Sequence, residues 1–534
     1  MKLFYFFSTF WFFRQIKSIL FWLYLWQLKE YHIGRFIDHF RTEKGKRIFL
    51  NKTFLWKIVF LLFFIFAPTL RLTLFWLILF LYFLEFLKFL YDFSKKQILK
   101  PIFTSKIVFL FSFNFLFTLF YLFALFQNKE FLIFWLLIFD ILSPAIFSGI
   151  VLIFQPITFL LRTTVIQKAK KKREKFKDLL VIGICGSYGK TSTKEFLATI
   201  LEEKFPGKVL KTKEHQNSEI GISKCILEDL KESHKIFVVE MGAYNKGGIK
   251  LLCDIVKPKI GIITGVNEQH LATFGSMENL ISAEGGKELI ESLQEDGLVI
   301  FNGENEILRK IYQETRIKKR IVGISKKEFD LWAGNIKVKK EVLFFQTFTK
   351  EGEMADFNLN LIGAQNIQNL LLAICAAKEL GMSLKEISRA AKKIRKEQSG
   401  VRLIKTKDGF NVIDATYSAN PDSVISHLEY LKVWPGKRTI IMPCLIELGP
   451  ASKEIHKKIG EKIYEVCDLA IIVTRDRFKE IKEGAKEKAI FLENVKGIYE
   501  KIKQFTGESD IILLEGRLPR ELLNLIYGDQ GNKR

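Results

Sequence analysis

The chain has 534 residues, a formal net charge of +24, 49% hydrophobic residues and six cysteines. Its length allows about three domains. The charge invites a nucleic-acid role, but no helix-turn-helix, zinc-finger or RNP-like pattern accompanies it and much of the excess flanks apolar runs, so no nucleic-acid partner is expected. Cys185, Cys225, Cys253, Cys375, Cys444 and Cys467 contain no C-x-x-C pair, which argues against a disulfide scaffold or a cysteine zinc site and for reduced core residues.

In chain order, residues 1–160 read as a membrane region. Phe54 to Leu70, Leu72 to Tyr91, Ile107 to Phe126 and Phe131 to Phe154 are apolar runs long enough, or nearly so, to cross a hydrocarbon core of about 30 Å. Phe4 to Trp26 is a fifth candidate; Arg14 and Lys17 near its middle leave a span and an interfacial helix both open, with a span slightly favoured. A cleavable signal peptide is not expected. The stretches Arg41 to Lys52 and Lys95 to Lys106 are dense in Lys and Arg, whereas Arg71 and the Gln127 to Glu130 loop are sparse, so the dense loops and the end of the last span are expected in the cytoplasm. Residues 161–178 read as a basic linker touching anionic lipid: Lys168 to Lys177 holds seven Lys or Arg against Glu174 alone.

From Leu179 onward, short apolar runs alternate with helical stretches. Leu179 to Ile184, Ile236 to Glu240, Ile260 to Thr264 and Leu298 to Phe301 read as buried strands of a mostly parallel α/β sheet, placed in a domain of residues 179–398. Within it, Met277 to Leu293 and Gly363 to Leu380 read as helices, and Lys385 to Gln398, with six Lys or Arg, as a helix and hinge. A second alternating set, with strands at Val412 to Asp414, Thr439 to Met442, Ala470 to Val473 and Ile511 to Leu514, predicts a Rossmann-like α/β domain over residues 399–534.

The strongest motif is Gly186-Ser187-Tyr188-Gly189-Lys190-Thr191-Ser192, set between the strand ending at Ile184 and a helix from Lys190 to Lys204. Such a loop wraps phosphate oxygens in backbone N–H groups, Lys190 reaches the terminal phosphates and the Thr191 hydroxyl ligates magnesium. Ile184 stands where the longer Walker spacing has glycine. Glu240 at a strand end and His270 just after the next strand offer ligands where α/β sheets collect them, although either alone is more often structural.

After that loop follow V-E-M-G-A from Val239, N-E-Q-H-L-A-T-F-G-S from Asn267, G-A-Q-N-I-Q-N from Gly363, Y-S-A-N-P-D-S from Tyr417, and I-E-L-G from Ile446 with His456 beyond it. These six signals, in this order over roughly residues 179–530, resemble the Mur ligases, and most nearly the branch adding D-alanyl-D-alanine to UDP-N-acetylmuramoyl-tripeptide. The resemblance implies an ATP-dependent peptide ligase of peptidoglycan biosynthesis that makes an acyl phosphate from a carboxylate and lets an amine displace phosphate. It implies a muropeptide or related cell-envelope precursor as acceptor, an amino acid or dipeptide as amine, and ATP and Mg2+ as cofactors; the apolar runs add the bacterial cytoplasmic membrane as the expected location. By the same resemblance, Lys190 holds the terminal phosphates, Thr191 and Glu240 bind one magnesium, His270 a second, Asn366 meets adenine, and Arg402 and Asp414 close over the nucleotide.

The chain departs from the family in four places. Membrane runs stand where the family has a UDP-gripping domain, which leaves soluble and lipid-linked acceptors open. The usual aspartate pair is Asp414-Ala415, and the usual glycine-aspartate-methionine run is Met442-Pro443-Cys444. Glu284 stands where the family has a lysine carbamylated by carbon dioxide; a ready-made carboxylate facing magnesium, a solvated helix glutamate, and a shifted register making Lys287 the modified lysine all stay open. Two rivals share these features: a Mur-like ligase making another γ-linked or cell-envelope amide, and an ATP-driven transporter. The second is weakened by thin intramembrane charge, mainly Lys57, Glu85, Lys88 and Asp140.

Overall fold

In the computed structural model, which describes residues 2–95, 97–127, 132–214, 216–324, 327–417 and 419–528, the chain divides into two units, Met1–Leu161 and Arg162–Arg534. In the first, Phe- and Leu-rich runs form α1 (Lys2–Leu28), the short α2 (Ile33–His39) and α3 (Glu43–Phe49), then α4 (Lys52–Phe66), α5 (Arg71–Ser94), α6 (Ser105–Gln127) and α7 (Leu132–Ile153). Thr42 and Asn51 start α3 and α4 by accepting from the backbone N–H groups of Gly45 and Phe54, as helix-capping residues do. Among the described residues, four helical stretches are long and apolar enough to cross a bilayer: Glu43–Phe66, Arg71–Ser94, Ser105–Phe126 and Leu132–Glu174. The basic stretch beginning at Arg41 is thus largely helical.

α1 is not among those four, yet it packs against α5, α6 and α7 and its polar residues find partners inside the unit. Arg14 Nε lies 3.4 Å from Glu85 Oε1 and Lys17 Nζ 2.6 Å from Asp92 Oδ2. Gln15 donates to Asp140 Oδ1 at 2.9 Å. Lys57 donates to Glu85 and Asp140 at 2.7 and 2.6 Å, and the Tyr82 hydroxyl to Asp140 at 2.9 Å. Two cations and two anions gathered together, Lys57 and Asp140 buried and Arg14 and Glu85 half-buried, satisfy what each alone could not in a medium of low polarity. Of the charges within the apolar runs, Lys57 and Asp140 are buried and paired with one another, and the half-buried Glu85 pairs with Lys57.

The second unit begins within α8 (Gln155–Glu174). The stretch expected as a linker is therefore helical as far as Glu174. Ile166, Ala169 and Arg173 are buried, and their three- and four-residue spacing puts them on one helix face. Arg173 Nε donates to Val256 O at 2.9 Å. Composition shows the charge of such a run but not which of its faces is anchored.

Beyond α8, a sheet of nine strands runs in the order β2-β3-β1-β4-β5-β6-β7-β8-β9. Its members are β1 (Leu180–Cys185), β2 (Val209–Lys211), β3 (Ile236–Glu240), β4 (Ile260–Ile263), β5 (Leu298–Asn302), β6 (Lys318–Ile324), β7 (Leu331–Val338), β8 (Leu343–Thr349) and β9 (Met354–Leu359). β1 and β3 are almost wholly apolar and buried, as parallel strands covered on both faces must be. Separate apolar cores, around Phe196 and Leu371 and around Phe237 and Leu289, cover the two faces. The antiparallel ribbon β7-β8-β9 is not among the strands predicted above, because its apolar and polar side chains are mixed and do not form the unbroken apolar runs that mark buried parallel strands.

The last sheet has the order β10-β11-β15-β12-β13-β14, with β10 (Arg402–Lys405) antiparallel at the edge. β11 (Asn411–Ala415), β12 (Arg438–Met442), β13 (Leu469–Ile472), β14 (Ala489–Phe491) and β15 (Ile511–Glu515) are parallel. Two helical predictions need correction. Residues 277–293 form two helices, Met277–Ala283 and Lys287–Ser292, because Gly286 turns at φ +81°, a conformation glycine tolerates and a continuing helix does not. Residues 385–398 form a helix ending at Ala391 and a separate turn at Lys396–Ser399.

Candidate active site

The phosphate loop leaves β1 at Cys185 and enters α9 (Lys190–Lys204), so the free N–H groups of the first helical turn, which includes Thr191 and Ser192, point back to the loop. Gly186 and Gly189 are required: they have φ +141° and +75°, and an added Cβ would lie 2.1 Å from Thr264 Oγ1 and 2.4 Å from Asn369 Oδ1. The Ser187 N–H donates to Gly265 O at 2.7 Å. Tyr188 is packed against Gly265, and burial beside the Asp422 charge pushes its hydroxyl up to about 12. The Lys190 ammonium donates to Gly186 O within its own loop.

Two polar groups flank this loop at the carboxyl ends of β3 and β4. In the first, Glu240 closes β3 with its Oε1 accepting from Thr191 Oγ1 and Asn217 Nδ2, both at 3.1 Å, and its Oε2 accepting from Lys194 Nζ at 3.3 Å. In the second, Glu284 accepts from Ser187 Oγ at 2.6 Å on one oxygen and lies 3.1 Å from His270 Nδ1 on the other. The Gly286 turn is what places Glu284 here: it caps the helix Met277–Ala283 instead of riding mid-helix, and it is buried. Lys287 opens the following helix and is half-exposed, with its ammonium 4.0 Å from Glu314.

His270 has φ +68°, a left-handed conformation that costs a residue other than glycine about 1–3 kcal/mol and gathers at functional sites. Its partner across the domain seam, Glu447 of the I-E-L-G run, has φ +67°. The Ala272 N–H donates to Glu447 O at 3.0 Å, and His270 Nε2 lies 3.9 Å from Glu447 Oε2. Asn267 Nδ2 adds a second bridge, donating to Asp422 Oδ2 at 2.7 Å; burial raises the Asp422 carboxyl above its ordinary range. His456 is wholly buried and holds this loop from behind, accepting from the Leu445 N–H at 2.9 Å.

The other expected nucleotide contacts are tied to their own neighbours. Asn366 is fully enclosed, donating to Ile362 O at 2.7 Å while its Oδ1 has no hydrogen-bond partner. Arg402 Nη2 lies 3.7 Å from Asp414 Oδ2 across the β10–β11 pair, and the Thr416 hydroxyl donates to Asp414 Oδ1 at 2.6 Å. Sequence reasoning missed Asn217, Asn267, Asn369, Asp422 and Lys194. Asn267, Asn369 and Asp422 stand inside the N-E-Q-H, G-A-Q-N-I-Q-N and Y-S-A-N-P-D-S runs, and Lys194 lies one helical turn beyond Lys190 and so on the same face; Asn217 left no such signal.

The donors suit a nucleoside triphosphate with magnesium. Glycines clear a cradle at the head of α9, and the nearby side chains supply hard oxygens. Among the described residues no group of three or more His, Cys, Asp or Glu side chains converges as a metal cage, and magnesium commonly uses one or two carboxylates plus phosphate oxygens and water.

Comparison with known proteins agrees. The Mur ligase middle domain matches residues 184–377, and the Mur ligase glutamate ligase domain matches residues 401–518. The UDP-N-acetylmuramoyl-tripeptide–D-alanyl-D-alanine ligase of Bacillus subtilis is 25% identical over 65% of this chain and 75% of its own length. Among solved structures, MurF from Acinetobacter baumannii superposes with a TM-score of 0.62 at 25% identity, covering 70% of this chain and 81% of that one. The MurF ligase of Thermotoga maritima, solved in complex with ADP, gives 0.60 at 25% identity over 70% of this chain and 85% of that one. The phosphate loop, the acidic strand end and the ordered pair of α/β domains thus place the chain in the Mur ligase family, as an ATP-dependent, amide-forming ligase resembling MurF.

Proposed function

We propose that this ligase adds a D-alanyl-D-alanine-type amine to the peptide carboxylate of a muropeptide cell-wall precursor. The observation that carries the proposal is the meeting of the phosphate loop with Glu240 on one side and the Ser187–Glu284–His270 group on the other, next to the seam with the C-terminal domain. The substrate carboxylate oxygen attacks the γ-phosphorus of ATP, giving an acyl phosphate and ADP. The amine then attacks the acyl carbon, phosphate leaves with the C–O electron pair, and the amine loses a proton to solvent or phosphate.

Bringing two anions together needs charge compensation more than covalent help. Lys190 exchanges Gly186 O for the terminal phosphates, and the N–H groups of the loop and α9 receive their oxygens. Magnesium, when bound, neutralises phosphate and carboxylate charge, with Thr191 and Glu240 as its holders on one side and His270 and Glu284 on the other. Asn366 Oδ1 is unpartnered but enclosed, so it would meet the exocyclic amine of adenine only after its cover shifts, and Arg402 and Asp414 lie on the domain that would close over the nucleotide.

The same reading anchors the enzyme in the bacterial cytoplasmic membrane through its apolar helices, with the catalytic domains inside and the lysines of residues 168–177 against anionic headgroups. Phosphate release by the detergent-purified full chain tests it, offering soluble nucleotide-linked and lipid-linked muropeptides with different amines. Amine-dependent release with a muropeptide is expected. Release that ignores both substrates would sink the ligase reading and favour ATP-driven transport.

A further inference from the structure

Lys194 is fully buried, and its ammonium sits between two carboxylates, 3.3 Å from Glu240 Oε2 and 3.3 Å from Glu195 Oε1. The Glu240 oxygens therefore divide their contacts: Oε2 belongs to Lys194, while Oε1 faces Thr191 and Asn217. A carboxylate held by one oxygen cannot rotate freely, so Lys194 sets the direction in which Glu240 presents the other. Glu195 continues the path. Its Oε2 takes Lys211 from β2 and accepts from Gln398 Nε2 at 3.3 Å. Lys194 and Lys211 balance Glu195 and Glu240, so this run of charge, buried at Lys194 and Glu240 and reaching the surface at Lys211, is neutral.

Gln398 belongs to the turn Lys396–Ser399, just before Val401 enters the core of the C-terminal domain. It is fixed there: its Oε1 accepts from the Arg395 N–H at 2.7 Å, and its Nε2 also donates to Thr199 of α9 at 2.9 Å. The connection between the two catalytic domains is thus tied by side chains to the helix that carries the phosphate loop.

We propose that Lys194 is a positioning residue for Glu240, and that the relay Glu240–Lys194–Glu195–Gln398 couples metal–nucleotide binding at the phosphate loop to the turn from which the C-terminal domain departs. The proposal rests on the ligase reading, in which Glu240 serves the magnesium of ATP. A cation taken up on the Oε1 side of Glu240 leaves Oε2 on Lys194, and Lys194 keeps its place because Glu195, steadied by Gln398 and Lys211, holds its other side. Order at the turn and metal occupancy then favour one another, as linked equilibria must.

The test is manganese binding to the full chain in detergent with saturating ADP, read by electron paramagnetic resonance, for the unaltered protein, Lys194→Met, Gln398→Ala and the double variant. Lys194→Met is expected to weaken manganese about tenfold, as loss of a group orienting a metal ligand commonly does. Gln398→Ala, which touches no phosphate or metal, is expected to weaken it about threefold through the relay. The double variant should be no weaker than Lys194→Met alone, because both changes cut the same path. Unchanged affinity in folded Lys194→Met, or additive losses in the double variant, overturns the proposal. If Lys194→Met does not fold, Gln398→Ala decides alone, and unchanged affinity there overturns the coupling. Absence of manganese–ADP binding by the unaltered chain would overturn the nucleotide reading itself, and the relay with it.

Discussion

Ser187 and Glu284 are 97 positions apart in sequence and joined by a 2.6 Å hydrogen bond between hydroxyl and carboxylate. The bond ties the phosphate loop to the residue that the Mur ligase resemblance sets at the carbamylated-lysine position, and the other oxygen of Glu284 meets His270. A glutamate needs no carbon dioxide to become an anion. Ligase activity is therefore expected to be indifferent to added bicarbonate, Glu284→Ala to lose roughly 100-fold in turnover, and Lys287→Ala, on its half-exposed helix start, to change little. Bicarbonate-dependent turnover that disappears in Lys287→Ala would contradict this assignment.

Lys190→Ala, Glu240→Ala and His270→Ala each remove charge compensation near the transferring phosphoryl group. Each is expected to cost roughly 100-fold or more in turnover while circular dichroism and melting stay near those of the parent. Full activity in Lys190→Ala would remove the basis of the ligase reading.

Acid stability offers a check on Glu195. Burial alone would raise its carboxyl, but Lys211, Lys194 and Gln398 outweigh burial and hold it below the ordinary value of 4.5. A depressed carboxyl contributes stability that is complete above the unfolded-state value and is lost as pH falls toward the folded one. Denaturant unfolding of the full chain followed below about pH 4.5 should therefore show a shallower decline in Glu195→Gln than in the parent. Equal slopes would mean that the ion pairs do not form in solution.

All six cysteines are free and buried. Burial pushes Cys225 and Cys253 up to about 12, and thiolate is the reactive form. An aromatic disulfide reagent should leave the native protein essentially unmodified and titrate six thiols after denaturation. Rapid modification of the native chain would show that these positions open.

In the helical unit, Lys57→Met should lower the melting temperature of the detergent-solubilised chain, because it removes the buried cation paired with Asp140 and leaves that carboxylate to Gln15, Tyr82 and the more distant Arg14, and breaking a buried pair costs about 3–5 kcal/mol. The Lys57→Met/Asp140→Leu pair removes one charge of each sign and should recover much of the loss. A reporter placed after Lys177 should read as internal and one placed after Gln127 as external; the reverse would put the phosphate loop out of reach of cytoplasmic ATP.

The elements legible in the sequence were those whose physics is local. Buried parallel strands such as Ile236–Glu240 announce themselves as unbroken apolar runs, the α9 helix follows a glycine loop over its full length, and the four apolar stretches are long enough to be read by length and composition alone. Lys190, Thr191 and Glu240 could be named because they stand at the ends of such elements, where α/β sheets gather ligands. What only the tertiary structure decided depends on distant contacts. Gly286 breaks what periodicity continues and so delivers Glu284 to Ser187; Arg14 of α1 meets Glu85 of α5 inside a helical unit; Glu447 arrives at His270 from another domain. A buried charge needs a partner, but that partner can come from anywhere in the chain, and only folding selects it.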